Sequence, residues 1–173
     1  MILKTIKYLL PVLLFLFSSC GYHNPNVYNG PTKIIYITNW KNKTSQMNLD
    51  MDIYRELVKW FQKSEAITVT KDREEADLIL AGEITSIDLP SLAYGSDNSA
   101  KEVKLHLDVR YIMKDLESGT VIMEVPGERY TEELLVGLNS AEYKDNEQKA
   151  LDSIIEDLAQ KIYRKAIKKM PKL

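Results

Sequence analysis

The sequence predicts an α+β fold, a two-layer sandwich in which two helices pack on one face of a mixed four- to five-stranded sheet. Two observations carry that expectation. In EVKLHLDVRYIMK, the residues Val103, Leu105, Leu107, Val109, Tyr111 and Met113 fall on one face. Glu102, Lys104, His106, Asp108 and Arg110 fall on the other, broken only by Ile112, which is the period-two pattern of a strand with one wet face. Two further segments repeat apolar residues at intervals of three and four, the mark of helices with a single apolar stripe. One-sided helices and a one-sided sheet satisfy each other by stacking in two layers.

The chain opens with a leader. Residues 1–19, MILKTIKYLLPVLLFLFSS, set Lys4 and Lys7 before an apolar core from Tyr8 to Phe17 and close on two serines. That is the layout of a secretory signal, and it is too short to stay as a membrane span. Cys20, the only cysteine, follows at once. An exported cysteine without a second one in its chain forms no internal disulfide. Its place after Ser18 and Ser19 matches a bacterial lipobox, with Phe17 where leucine is usual and Leu16 one place earlier. The expected fate is acylation of the thiol and cleavage before it. Gly21, where an aspartate would signal inner-membrane retention, directs the product to the outer membrane, on its periplasmic side.

Residues 20–32 then read as a lipidated cysteine and tether, because HNPNVYNGPT concentrates Pro, Gly and Asn. Residues 33–173 read as a single α+β periplasmic domain. Ile34 to Ile37 form a short strand, KNKTSQ a turn, and Leu49 to Lys63 a helix whose face is Ile53, Leu57, Trp60 and Phe61. AITVT (66–70) is a second short strand, reached through that helix and so suited to parallel pairing with the first. EEADLILAGEITSIDL reads as a long strand with Leu78, Leu80 and Ile84 on one side and Ile79, Ala81 and Ile87 on the other. After the alternating strand, a turn at Gly119 leads to a return strand in which Pro126 removes one ladder bond, as at an edge or bulge. The last helix begins between Ser140 and Asn146, buries Leu151, Ile154, Ile155, Leu158, Ala159, Ile162, Ala166 and Ile167, and ends before Pro171.

Cleavage would leave 21 basic and 25 acidic side chains, and that mild acidity, with no zinc spacing, argues against a nucleic-acid partner. Catalytic groups are scarce. Cys20 is used by the anchor, His23 lies in the tether and His106 on the wet strand face, and the carboxylates of GERYTEE and REEAD read as solvated loop charge. No phosphate loop or GxSxG occurs, so the chain reads as a non-enzyme without cofactor or metal. What remains is binding. Lys161, Arg164, Lys165, Lys168, Lys169 and Lys172 succeed one another with no acid between them. Cations favour a helix C-terminus, and the same set is a candidate patch for anionic headgroups or phosphorylated glycolipid.

Four stretches together resemble the LptE family of lipopolysaccharide-assembly lipoproteins: CGYH (20–23), EADLILAGEI (75–84), YGSDNSAKEVKLHLDVRY (94–111) and KDNEQ (144–148). The resemblance implies an outer-membrane lipoprotein with no catalytic activity that plugs and helps assemble a large β-barrel partner of the LptD type. It implies passage of lipopolysaccharide to the cell surface, with the lysine of KDNEQ, here Lys144, as a lipopolysaccharide contact. The family's second basic contact has no counterpart in YGSDNS, and Lys101 and Lys104 are the nearest substitutes. A different class, an outer-membrane lipoprotein that activates a peptidoglycan synthase, shares the export signal and anchor. Such proteins need a long tether, whereas Gly21 to Thr32 reaches about 40 Å at most.

Overall fold

The computed structural model describes residues 27–88, 102–135 and 139–170. The leader, Cys20, His23, Lys101 and Pro171 lie outside them. The elements run β1 (Lys33–Ile37), β2 (Lys41–Asn42), α1 (Leu49–Phe61), β3 (Ile67–Thr70), β4 (Leu78–Asp88), β5 (Glu102–Asp115), β6 (Val121–Leu135) and α2 (Ser140–Lys169). One mixed sheet in the order β3-β1-β4-β5-β6 carries both helices, and β2 pairs with β4 beyond the end of β1. β1 runs parallel to β3 and β4, while β4, β5 and β6 form antiparallel pairs. The helix between β1 and β3 supplies the crossover that a parallel pair requires.

The helix-facing side of the sheet is the predicted one for β5: Leu105, Leu107, Val109, Tyr111 and Met113 are all buried. Ile35, Ile37, Leu78, Leu80 and Ile84 extend that apolar surface across β1 and β4. Three local readings are corrected. Thr85 is an extra residue in β4, since Ile84 pairs with Val109 and Ser86 with Asp108. Its hydroxyl donates to the Asp108 carbonyl at 2.9 Å. This bulge swaps the faces beyond it, so Ile87 packs against the core with Leu78 and Leu80 instead of opposing them. The turn KNKTSQ begins with the two-residue β2, held by Lys41 and Asn42 opposite Glu83 and Ile84. GERYTEE is no loop but the middle of β6.

β6 is an edge strand, and its Pro126 sits in a bulge: Tyr111 pairs with Val125 and Val109 with Glu128, leaving Pro126 and Gly127 opposite Arg110. Trp40 follows β1 and lies flat against the backbone of Gly82, where a Cβ would stand 2.3 Å from the ring. It also stacks on Tyr111 at 6.2 Å.

Asn139 caps α2, its side chain accepting from the amides of Ala141 and Glu142. The two helices lie side by side with their C-terminal ends together, because Trp60 and Phe61 at the end of α1 both meet Tyr163 near the end of α2, at 6.0 and 5.5 Å. The chain enters at this same end. Tyr28 is 2% exposed, and its carbonyl accepts from the buried Ser64 hydroxyl at 2.6 Å. A segment with a tether's composition therefore joins the core at Tyr28, ahead of β1.

Candidate functional site

Ion pairing sorts the predicted cations into two groups. Lys161 pairs with Asp157 at 2.8 Å and lies over the Tyr130 ring at 4.8 Å. Lys165 reaches back onto the sheet and donates to both oxygens of Glu128 at 2.8 Å and to the Tyr111 hydroxyl at 3.1 Å. Lys104 meets Glu133 across the strand pair at 3.1 Å. Arg164, Lys168 and Lys169 are exposed and make no ion pair among the described residues. Lys144 is exposed likewise, one turn into α2. Its neighbour Asp145 is taken by Lys149 at 2.6 Å, so the compensation for a lysine near a helix N-terminus does not come from Asp145.

Lys144 and Lys104 sit near the same end of the molecule but not on one face. The Asn146 side chain donates to the Leu135 carbonyl, and Leu135 pairs with Glu102, which places the start of α2 beside the start of β5. Lys104, however, projects from the face of β5 opposite the helices. The sheet separates the two lysines. Cys20 and Lys101 lie outside the described residues.

The Lys165 contact belongs to a cluster that sequence reading passed over. Tyr111 and Tyr130 both donate to the Oε2 atom of Glu128, at 2.7 and 3.0 Å. Burial opposes ionisation of Glu128, but the hydrogen bonds from Lys165, Tyr111 and Tyr130 outweigh it and hold the carboxyl below its usual range. Burial first, then the Glu128 carboxylate, pushes the Tyr111 phenol up to about 12. Burial also raises Tyr130. All hydrogen-bonding groups face one another, so the cluster fastens α2 to β5 and β6 and offers no free base or acid. The only hint in sequence is a glutamate on β6 that faces the core side, visible only once the Pro126 bulge is placed.

The open face of the sheet divides in two. Toward β6 it is a charged ladder: Arg129 donates to both Asp108 oxygens at 2.8 Å, and Lys43 and Arg110 both reach Glu83, at 2.6 and 3.0 Å. Those donors, Lys43 first, hold Glu83 below the usual carboxylate range. Toward β1, Ile34, Tyr36, Ile79, Ala81 and Ile112 stand half-buried, with neither described helix over them. Between the two halves, Ala81, Glu83, Arg110, Ile112, Glu124 and Pro126 line a depression of about 330 Å³. His106 accepts or donates at 2.9 Å with Thr131. No three His, Cys, Asp or Glu side chains converge on a metal position among the described residues, and no helix among them is long and apolar enough to cross a membrane.

The family model for lipopolysaccharide assembly, LptE, matches residues 32–166. The chain belongs to the LptE family. The match begins just after Tyr28 and ends within α2, so it spans the whole sheet, all of α1 and all but the last three residues of α2. The fold itself recurs in solved structures. A lipoprotein B from Nitrosomonas europaea superposes with a TM-score of 0.52 at 17% identity, over 82% of this chain and 84% of that one. A protein from Xanthomonas campestris gives 0.51 at 9% identity, over 82% and 90%. Both likenesses concern the fold alone. A comparison with curated proteins finds no match. As an LptE-family lipoprotein, the chain has its role in lipopolysaccharide assembly at the outer membrane.

Proposed function

We propose that this LptE-family chain is the lipid-anchored plug and assembly partner of an LptD-type outer-membrane β-barrel, supporting lipopolysaccharide transport to the cell surface without catalysis. Residues 1–19 serve as its signal peptide, Cys20 as its lipid anchor, and residues 33–173 as one periplasmic domain. The observation that carries the reading is the family match across residues 32–166. Two structural features support it. Among the described residues, the face of the sheet away from the helices has an apolar half and a charged half, the composition of a surface that meets protein and water together. The cluster of ionisable groups around Glu128 is closed on itself, and a scaffold needs such a fastening where an enzyme would need an open site.

Lys144 is the lipopolysaccharide contact in this reading. It is exposed and makes no ion pair among the described residues, so its charge is available to a phosphate. Lys104 is a weaker second contact, because Glu133 already holds it, and Lys101, three residues before it, is a third candidate in the same segment. Affinity purification from mild-detergent extracts of outer membranes tests the reading. A large β-barrel protein should copurify in stoichiometric amount, and depletion should reduce surface lipopolysaccharide. A chain that purifies alone from the same extract, with surface lipopolysaccharide intact after depletion, excludes the plug role.

A further inference from the structure

We propose that the end of the helical layer where the chain enters docks on anionic phospholipid headgroups of the bilayer, using Lys63, Arg164, Lys168 and Lys169. The proposal rests on the reading of Cys20 as the lipid anchor. If the tether is fixed at Cys20 in the membrane, it is fixed again at Tyr28, whose carbonyl is held by Ser64 inside the core. Seven residues lie between the two points, eight steps of chain, with a reach of about 29 Å when fully extended. Whatever surrounds Tyr28 is therefore kept within that distance of the lipid.

What surrounds it is basic. Tyr28 meets the turn after α1, and α1 meets Tyr163 of α2 through Trp60 and Phe61. Lys63 is exposed and lies over the Trp60 ring at 3.1 Å; the ring itself is only 9% exposed, so this corner presents the ammonium and not the aromatic to a headgroup region. Arg164 and Lys168 are four residues apart, one turn, on the exposed side of α2, and Lys169 follows. Lys161 and Lys165, which the sequence groups with them, are excluded because Asp157 and Glu128 hold them. From Leu158 to Met170 the helix carries no acid, and Glu65 is the single carboxylate in the turn 62–66. Cations near an anionic leaflet are attracted over about a Debye length, and that attraction adds to an acyl chain's hold.

The test uses the mature chain, residues 20–173, with Cys20→Ser, so that neither the leader nor an acyl group dominates binding, and vesicles of phosphatidylcholine with or without phosphatidylglycerol. Flotation should show binding to the phosphatidylglycerol vesicles at low salt, loss of binding as salt rises, and none to phosphatidylcholine alone. Each neutralised cation should weaken binding about fivefold, hence about a hundredfold for Arg164→Gln, Lys168→Gln and Lys169→Gln combined. Equal binding to both vesicle types, or none to either, overturns the docking proposal. Mass spectrometry of the wild-type chain separates this from the anchor: an acylated Cys20 with no vesicle binding by the Cys20→Ser form leaves the anchor standing and removes the docking surface. An unmodified Cys20 overturns the anchor, and the tether geometry with it.

Discussion

Three residues show how much a single side chain decides here. Gly82 has no Cβ because the Trp40 ring occupies that space, and Gly82→Ala should lower stability by about 1–3 kcal/mol through overpacking. Thermal unfolding measures it, and an unchanged midpoint would mean that the ring moves aside freely. Glu128 is set below the usual carboxylate range by Lys165, Tyr111 and Tyr130 against the opposing effect of burial. A depressed folded-state value stabilises the fold above the unfolded value, about 4.3, and that contribution disappears as pH falls through the folded value. Glu128→Gln should therefore cost about 1–3 kcal/mol at pH 7, the range for charged hydrogen bonds, and less at pH 3. Denaturant titrations at the two pH values check this, and an equal deficit at both contradicts the cluster's ionised state. Lys144 works in the opposite direction. Its charge opposes the α2 dipole by a few tenths of a kcal/mol, so Lys144→Glu should leave stability level or raised while weakening lipopolysaccharide binding by about 1–3 kcal/mol. Binding of purified lipopolysaccharide at two salt concentrations decides it, since an ionic contact weakens with salt.

Among the elements, α2 depends most on a single local device. Asn139 satisfies the amides of Ala141 and Glu142 at the start of a thirty-residue helix, and Asn139→Ala should cost about 0.5–2 kcal/mol. The loss should appear first as faster amide exchange in the opening turn around Lys144, and a protection pattern identical to wild type would show that the cap is dispensable. β4 and β6 owe their side-chain faces to bulges. The extra residue Thr85 turns Ile87 inward, and the Pro126–Gly127 bulge aims Glu128 at Lys165. Alternation in β5 was legible because the strand is regular over its length. The changes of face in its neighbours were not, because a bulge is defined by the pairing of two strands and leaves the sequence of either one unaltered.

At the scale of the molecule, the two candidate binding regions stand at opposite ends of one helix. Lys144 and Lys168 are twenty-four residues apart on α2, about 36 Å along its axis. The described chain enters at the Lys168 end, at Tyr28. A short tether at one end and an exposed lysine at the other would hold Lys144 away from the anchoring leaflet. Cys20→Ser should leave the domain folded, since the sequence places Cys20 in the tether, and the variant should appear as soluble or unprocessed protein. Fractionation reads this directly, and unchanged retention with mature-length processing and no acyl label would exclude the lipobox.

The sequence by itself determined the layers: the apolar stripes of α1 and α2 and the one-sided strand Glu102–Asp115 leave one arrangement that buries them all. It also identified the family, through short motifs in a fixed order. Only the tertiary structure decided which cations are free. Lys161, Lys165 and Lys168 look alike in a run of basic residues, yet one has an aspartate a turn away, one has a glutamate delivered by a bulged strand, and one has neither. It also decided that Tyr28 belongs to the core. Composition reports what a segment is able to do alone, whereas burial and pairing depend on which groups from distant parts of the chain arrive beside it.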